Sequence, residues 1–60
     1  MRYITLHNAE TGNEIKVFIN LIFAIEGNII FGAFPDNRLI VKETEEEIFT
    51  KIKIAAITMM

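Results

Sequence analysis

A chain of 60 residues without cysteine can form only one small domain, which we place over residues 1–60, and no disulfide or cysteine-based zinc site stabilises it. The formal net charge of −2 lacks the basic excess of nucleic-acid-binding proteins and argues against a nucleic-acid partner. A hydrophobic fraction of 52% is difficult to bury in so short a chain, which favours a homo-oligomer or a surface covered by a protein partner.

The start of the sequence shows no signal peptide, because residues 2–7 alternate in polarity where a signal peptide would have a long apolar run. Uncharged stretches such as Val17 to Ile25 are shorter than the ~20 residues of a membrane-spanning helix. We therefore expect a cytoplasmic protein without a membrane span.

The first part of the chain predicts a β-hairpin. Residues 2–7 place Ile4 and Leu6 on one face, with the period of a half-buried strand. Residues 8–13 are mostly turn formers and predict the connecting loop. A second alternating strand follows, and its inward face consists of Ile15, Val17 and Ile19.

The middle of the chain predicts a second hairpin after a short irregular segment. Asn20 can cap a single helical turn, or the strand can bend there, and we favour the short turn. Residues 23–26 and 29–34 then form the third and fourth strands. Gly27-Asn28 between them is a two-residue hairpin signal, since both residues tolerate positive φ.

A fifth strand precedes the C-terminal helix. Residues 35–37, Pro-Asp-Asn, form a turn, because Pro presets φ and the Asp and Asn side chains favour turn geometry. Residues 38–42 follow as a strand that directs Leu39 and Val41 inward and Ile40 outward.

The clearest local signal is the start of the helix. Thr44 as N-cap and Glu47 three residues later form a capping box, and the glutamates at 45–47 lie at the positive end of the helix dipole. Glu47 is also placed to pair with Lys51. We expect regular helix to about Ala56. At 100° per residue Ile54 and Ile57 lie outside an inward apolar stripe, which consists of Ile48, Phe49, Ile52, Ala55, Ala56, Met59 and Met60.

These elements predict an α+β fold, a small twisted antiparallel sheet or open barrel of about five short strands followed by one C-terminal helix. Residues 29–34 carry apolar side chains on both faces, so that one face packs on the core and the other requires the helix, a second subunit or a partner. We predict that the partner interface contains Phe18, Ile30, Phe34, Ile40, Ile54 and Met59.

The sequence contains no recognisable catalytic, metal or cofactor site. His7 is the single histidine, and whether Glu10, Glu14 or Asp36 approaches it is open. The acidic residues at 43–47 are explained by the helix start, without a cation. With no serine, no cysteine and no glycine-rich phosphate loop, we expect a non-enzymatic protein without a cofactor. Phe31 and Phe34 could stack on nucleotide bases, but few basic residues lie near them, which favours a packing role.

One family shares the order of these motifs, which here are Ile4-Thr5-Leu6, Gly12, Glu14-Ile15, Asn20-Leu21-Ile22, Ile25-Glu26, the run Leu39 to Thr44, Glu46-Glu47-Ile48 and Lys51-Ile52. Over about residues 2 to 53 the chain resembles the small FlbD/SwrD-like proteins of flagellar and swarming motility. It departs from their pattern at residues 35–37, where they have an Asn-Gly turn, and in its more apolar fourth strand. The resemblance implies a bacterial, non-enzymatic accessory protein of flagellar motility and transfers no catalytic residue.

Two other functions stay open. CsrA-like RNA-binding regulators also have about five strands followed by a helix that begins Glu-Glu-Ile, as at Glu46-Glu47-Ile48, but this chain lacks the basic strand residues that RNA contact requires. The composition is also compatible with a subunit of a phage or mobile-element assembly. The main hypothesis is an interaction module that self-associates or binds a protein partner.

Overall fold

The computed structural model describes residues 2–58 and confirms the α+β fold class. Five short antiparallel strands form two small sheets, with the order β1-β2 in one and β3-β4-β5 in the other, and a helix follows. A short 3₁₀ turn at Ile19–Leu21 confirms the predicted break after the second strand. The bounds are β1 Tyr3–His7, β2 Glu14–Phe18, β3 Ile22–Glu26, β4 Ile29–Gly32, β5 Arg38–Ile40 and α1 Glu45–Thr58.

The first hairpin forms as its alternation predicts. β1 and β2 pair antiparallel with Ile4 opposite Val17, and both of these side chains are buried. The Asn8 side chain organises the loop, since its Oδ1 accepts the backbone N–H groups of residues 10 and 11 at 2.8 and 3.1 Å. Gly12 has a φ of 78°, which a residue with a Cβ rarely adopts.

The second sheet differs from the prediction at the end of its central strand. β4 ends at Gly32, where the prediction continued it to residue 34. The pairing with β3 stops one residue later, because the N–H of Phe34 donates to the carbonyl of Gly32 at 2.9 Å and so turns the chain at Ala33. Asn37, with a φ of 61°, then returns the chain to β5, which also ends two residues earlier than predicted, at Ile40.

The helix begins with the predicted capping box. The backbone N–H of Thr44 donates to Glu47 Oε1 at 2.9 Å, and the N–H of Glu47 donates to Thr44 Oγ1 at 3.2 Å. α1 continues to Thr58, two residues beyond the predicted end.

The inward face of α1 is narrower than the predicted stripe. Ile48 is buried, and Ile52 and Ala55 pack against the core. Phe49 and Ala56 are exposed, so their assignment to the inward stripe was wrong. The strand packed most extensively against α1 is β1, which leaves room for only a narrow buried arc. Met59 and Met60 lie outside the described residues.

The core is small and entirely aliphatic. Ile30 is one of its fully buried members, which corrects its assignment to the partner interface, since no partner can reach it in this fold. Phe34, another predicted interface residue, is half-buried and packs against the same cluster. The buried residues of the core are Ile4, Leu6, Val17, Ile30, Val41 and Ile48.

Candidate interaction surface

The segment from residue 40 to 45 joins the two sheets and fixes the start of α1. On one side, the N–H of Ala9 donates to the carbonyl of Ile40 at 3.1 Å, and Asn8 forms a β-bridge with Val41. On the other side, the N–H of Val41 donates to the carbonyl of Asn28 at 3.0 Å. Glu45 Oε1 accepts the N–H of residue 27 at 2.9 Å. The helix is therefore held at a defined position relative to both hairpins.

Glu43 in this segment is buried and contacts the partly exposed His7. Glu43 is only 8% exposed, and its Oε1 accepts the backbone N–H of His7 at 2.9 Å. Its Oε2 lies 2.6 Å from His7 Nδ1, and the N–H of Lys42 donates to the carbonyl of His7 at 2.8 Å. The carboxylate that contacts Nδ1 of the single histidine is therefore that of Glu43, and not that of Glu10, Glu14 or Asp36.

Two opposing effects act on the pKa of Glu43. Burial alone raises this pKa, but the hydrogen bonds from the imidazole and the backbone N–H of His7 favour the carboxylate, and the net pKa is lowered. The assignment of Glu43 to the helix start was therefore incomplete, because its carboxylate binds β1. In residues 2–58 no group of three or more potential metal-ligating side chains lies together, and the pair has a structural explanation.

The outer face of the first hairpin carries an aromatic pair next to an ion pair. The rings of Tyr3 and Phe18 are 6.2 Å apart in an edge-to-face arrangement. Lys16 Nζ lies 2.7 Å from Glu14 Oε2 and 5.7 Å from the centre of the Tyr3 ring. The pKa of Glu14 is lowered and that of Lys16 is raised, in each case first by the hydrogen bond that joins them.

Three of the large apolar side chains that are exposed in residues 2–57 lie on α1. Phe49 is 51% exposed, Ile54 54% and Ile57 62%. At 100° per residue, Ile57 lies on the side of the helix opposite to Ile48, Ile52 and Ala55. A helix that is apolar on several sides is typically covered on more than one of them.

Two shallow grooves border this helix. One, of about 370 Å³, lies between β1 and α1, and its lining includes Tyr3, Lys51 and Ile54. The other, of about 590 Å³, follows α1 itself. Its lining residues are Glu45, Glu46, Phe49, Thr50, Ile52 and Lys53.

The predicted interface residues separate into three groups. Phe18, Ile40 and Ile54 are exposed, and Phe18 and Ile54 are connected through Tyr3, which contacts the Phe18 ring and lines the same groove as Ile54. Ile30 and Phe34 belong to the core and its edge, and Met59 lies outside the described residues.

In residues 2–57, four further large apolar residues are exposed that were not in the predicted interface. The alternation of β1 already pointed Tyr3 outward, and the helical period already placed Ile57 off the inward stripe, so both could have been predicted from the sequence. The exposure of Phe49 and of Phe23, which is 75% exposed, had no such signal. Phe23 lies where the register of β3 shifts against β4.

Comparisons with known proteins add no relative. No family model matches the chain, and neither the curated proteins nor the solved structures contain a match. Within residues 2–58, no helix combines the length and the apolar character that crossing a membrane requires.

Proposed function

We propose that this protein is a non-catalytic interaction module that acts by self-association. The observation that carries the proposal is the balance between buried and exposed apolar side chains. Among residues 2–57, six hydrophobic residues are buried, whereas seven large ones are exposed, three of them on α1. Taking about 200 Å² for a large side chain, these seven expose roughly 700 Å² in total. This area is spread over four strands and the helix, so a single interface can use only part of it, less than the ~800 Å² that each partner buries in a standard interface.

The proposal that the module has no catalytic role rests on the residue inventory and on His7. The sequence has no serine and no cysteine, and a histidine base needs a nucleophile or a substrate proton within reach. The Nδ1 atom of His7 is engaged by Glu43, and that contact connects β1 to the segment before α1. A structural role accounts for both side chains.

The cellular role in this proposal comes from the resemblance described above. The matching motifs support an accessory protein of flagellar motility in the bacterial cytoplasm. Deleting the gene in a flagellated bacterium that carries it should reduce swimming or swarming, and re-expression should restore it. Unchanged motility on soft agar would remove the flagellar part of the proposal and leave the self-association untouched.

Self-association is tested by static light scattering across a dilution series. We expect the mass-average molar mass to rise above the 6.9 kDa of one chain as concentration increases from micromolar to millimolar. The exposed area places the assembly near the weak end of specific interfaces, so dissociation on dilution is part of the expected result. A molar mass of 6.9 kDa at every concentration would show that the apolar surface does not mediate self-association.

A further inference from the structure

We propose that two copies of this chain associate through antiparallel packing of their α1 helices, with Glu46 of each copy beside Lys53 of the other. This inference rests on the proposed self-association and assigns its surface and its symmetry. The occupant of the 590 Å³ groove along α1 is then the α1 helix of a second copy.

Glu46 differs from the other glutamates near the start of the helix in its hydrogen bonding. Glu43 binds His7, Glu45 accepts the backbone N–H of residue 27, and Glu47 accepts the N–H of Thr44. Within the described part of the chain, Glu46 forms neither an ion pair nor a side-chain hydrogen bond. Three of these four carboxylates therefore accept hydrogen bonds within the fold, and the fourth lines the groove.

Lys53 is the matching cation. It lines the same groove as Glu46, and it too has no ion pair among residues 2–58. The two residues are seven positions apart, so they share one face of the helix at a separation of about 10.5 Å along the axis. At this distance they cannot pair with each other in one copy.

A two-fold axis relating two copies would pair both of these charges. If the axis passes near Phe49 and Thr50, midway between Glu46 and Lys53, antiparallel helices bring each Glu46 beside the partner's Lys53. In a parallel arrangement with the same register, Glu46 of one copy would face Glu46 of the other, and Lys53 would face Lys53. Both contacts would be repulsive. The charge order on this face thus selects the antiparallel pairing.

The apolar part of the interface comes from Phe49 and its neighbours on α1. Phe49 lines the groove and is 51% exposed, and Ile57 is 62% exposed on the outer side of the helix. At about 200 Å² for each side chain, Phe49 and Ile57 together present roughly 200 Å² per copy. Two copies would bury a total below the ~1,200 Å² of stable complexes, so we expect a dissociation constant in the micromolar range or weaker.

Charge reversal with rescue tests this arrangement. Glu46→Lys and Lys53→Glu should each weaken dimerisation about tenfold, because each dimer contains the pair twice and an attraction becomes a repulsion. The double variant Glu46→Lys/Lys53→Glu should restore wild-type affinity within a factor of about three, since the pair is then reversed. Sedimentation equilibrium measures all four proteins, and circular dichroism verifies that each is folded.

Glu10→Lys is the control for Glu46→Lys, because it makes the same change in net charge at an exposed residue in the loop between β1 and β2. We expect its dimerisation to match the wild type. If wild type dimerises but Glu46→Lys behaves like Glu10→Lys, or if the double variant is not rescued, the α1 interface is wrong and self-association stands. A wild-type protein that is monomeric throughout would instead overturn the proposed function.

Discussion

Glu43→Gln should destabilise the protein by removing the charge from the contact between Glu43 and His7. Gln has the same shape and can still accept the backbone N–H of His7, so the loss is confined to the charge-assisted bond at 2.6 Å from Nδ1. A hydrogen bond to a charged group contributes about 1.5–3 kcal/mol, and we expect the free energy of unfolding at neutral pH to fall by about 2 kcal/mol. The total free energy of unfolding of a domain of this size is about 3–9 kcal/mol.

The effect should depend on pH in a defined direction. Burial acts to raise the pKa of Glu43, but the hydrogen bonds from His7 outweigh it, and the folded-state pKa is lower than in the unfolded chain. A lowered carboxyl pKa contributes stability that is fully present above the unfolded-state pKa, about 4.3. That contribution is lost as the pH falls through the folded-state pKa, where protonated Glu43 becomes equivalent to Gln.

Urea denaturation followed by circular dichroism at pH 7, 5, 4 and 3 measures the difference between wild type and Glu43→Gln. We expect the difference to be fully present at pH 7 and pH 5 and to shrink as the pH falls below about 4.3. Glu14→Gln is the matched control, because it removes an exposed carboxylate that pairs with Lys16, and its effect should be much smaller. Equal stability of Glu43→Gln and wild type at pH 7, or a difference independent of pH, would refute the reasoning.

Two further substitutions test the packing of the chain. Gly32→Ala should cost about 2–4 kcal/mol, because its Cβ would overlap the carbonyl oxygen of Leu21 and force the backbone apart. Thermal unfolding should show a larger loss of stability than for Gly27→Ala, because a Cβ at residue 27 has open space and meets only an unfavourable φ of 60°. A smaller loss at residue 32 than at 27 would contradict the structure. Thr44→Ala should cost about 1 kcal/mol by removing half of the capping box, and unchanged stability in urea would show that the bond from Glu47 N–H contributes little.

The parts of the fold that could be predicted are those that neighbouring residues determine. The alternation of β1 and β2, the loop at Gly27 and the capping box of α1 each depend on residues a few positions apart, and all three are confirmed. The outward direction of Ile40 is confirmed for the same reason.

The parts that could not be predicted depend on contacts between distant segments. Glu43 and His7 are 36 positions apart, and nothing near either residue indicates the other. Ile30 lies in a strand with apolar residues on both faces, so its alternation could not show which face is inward. Phe49 borders Ile48 on the helix, and only the narrow contact with β1 decides that Ile48 is buried and Phe49 exposed.

The central claim is that α1 presents its outer side to a second copy of the chain, and NMR on dilution tests it most directly. Amide chemical shifts of an isotope-labelled sample, recorded from millimolar to low micromolar concentration, report which residues leave an interface. We predict concentration-dependent shifts around Glu46, Phe49 and Lys53, and none around Phe23 on β3. A spectrum that is unchanged on dilution, or changes confined to β3, would contradict the account.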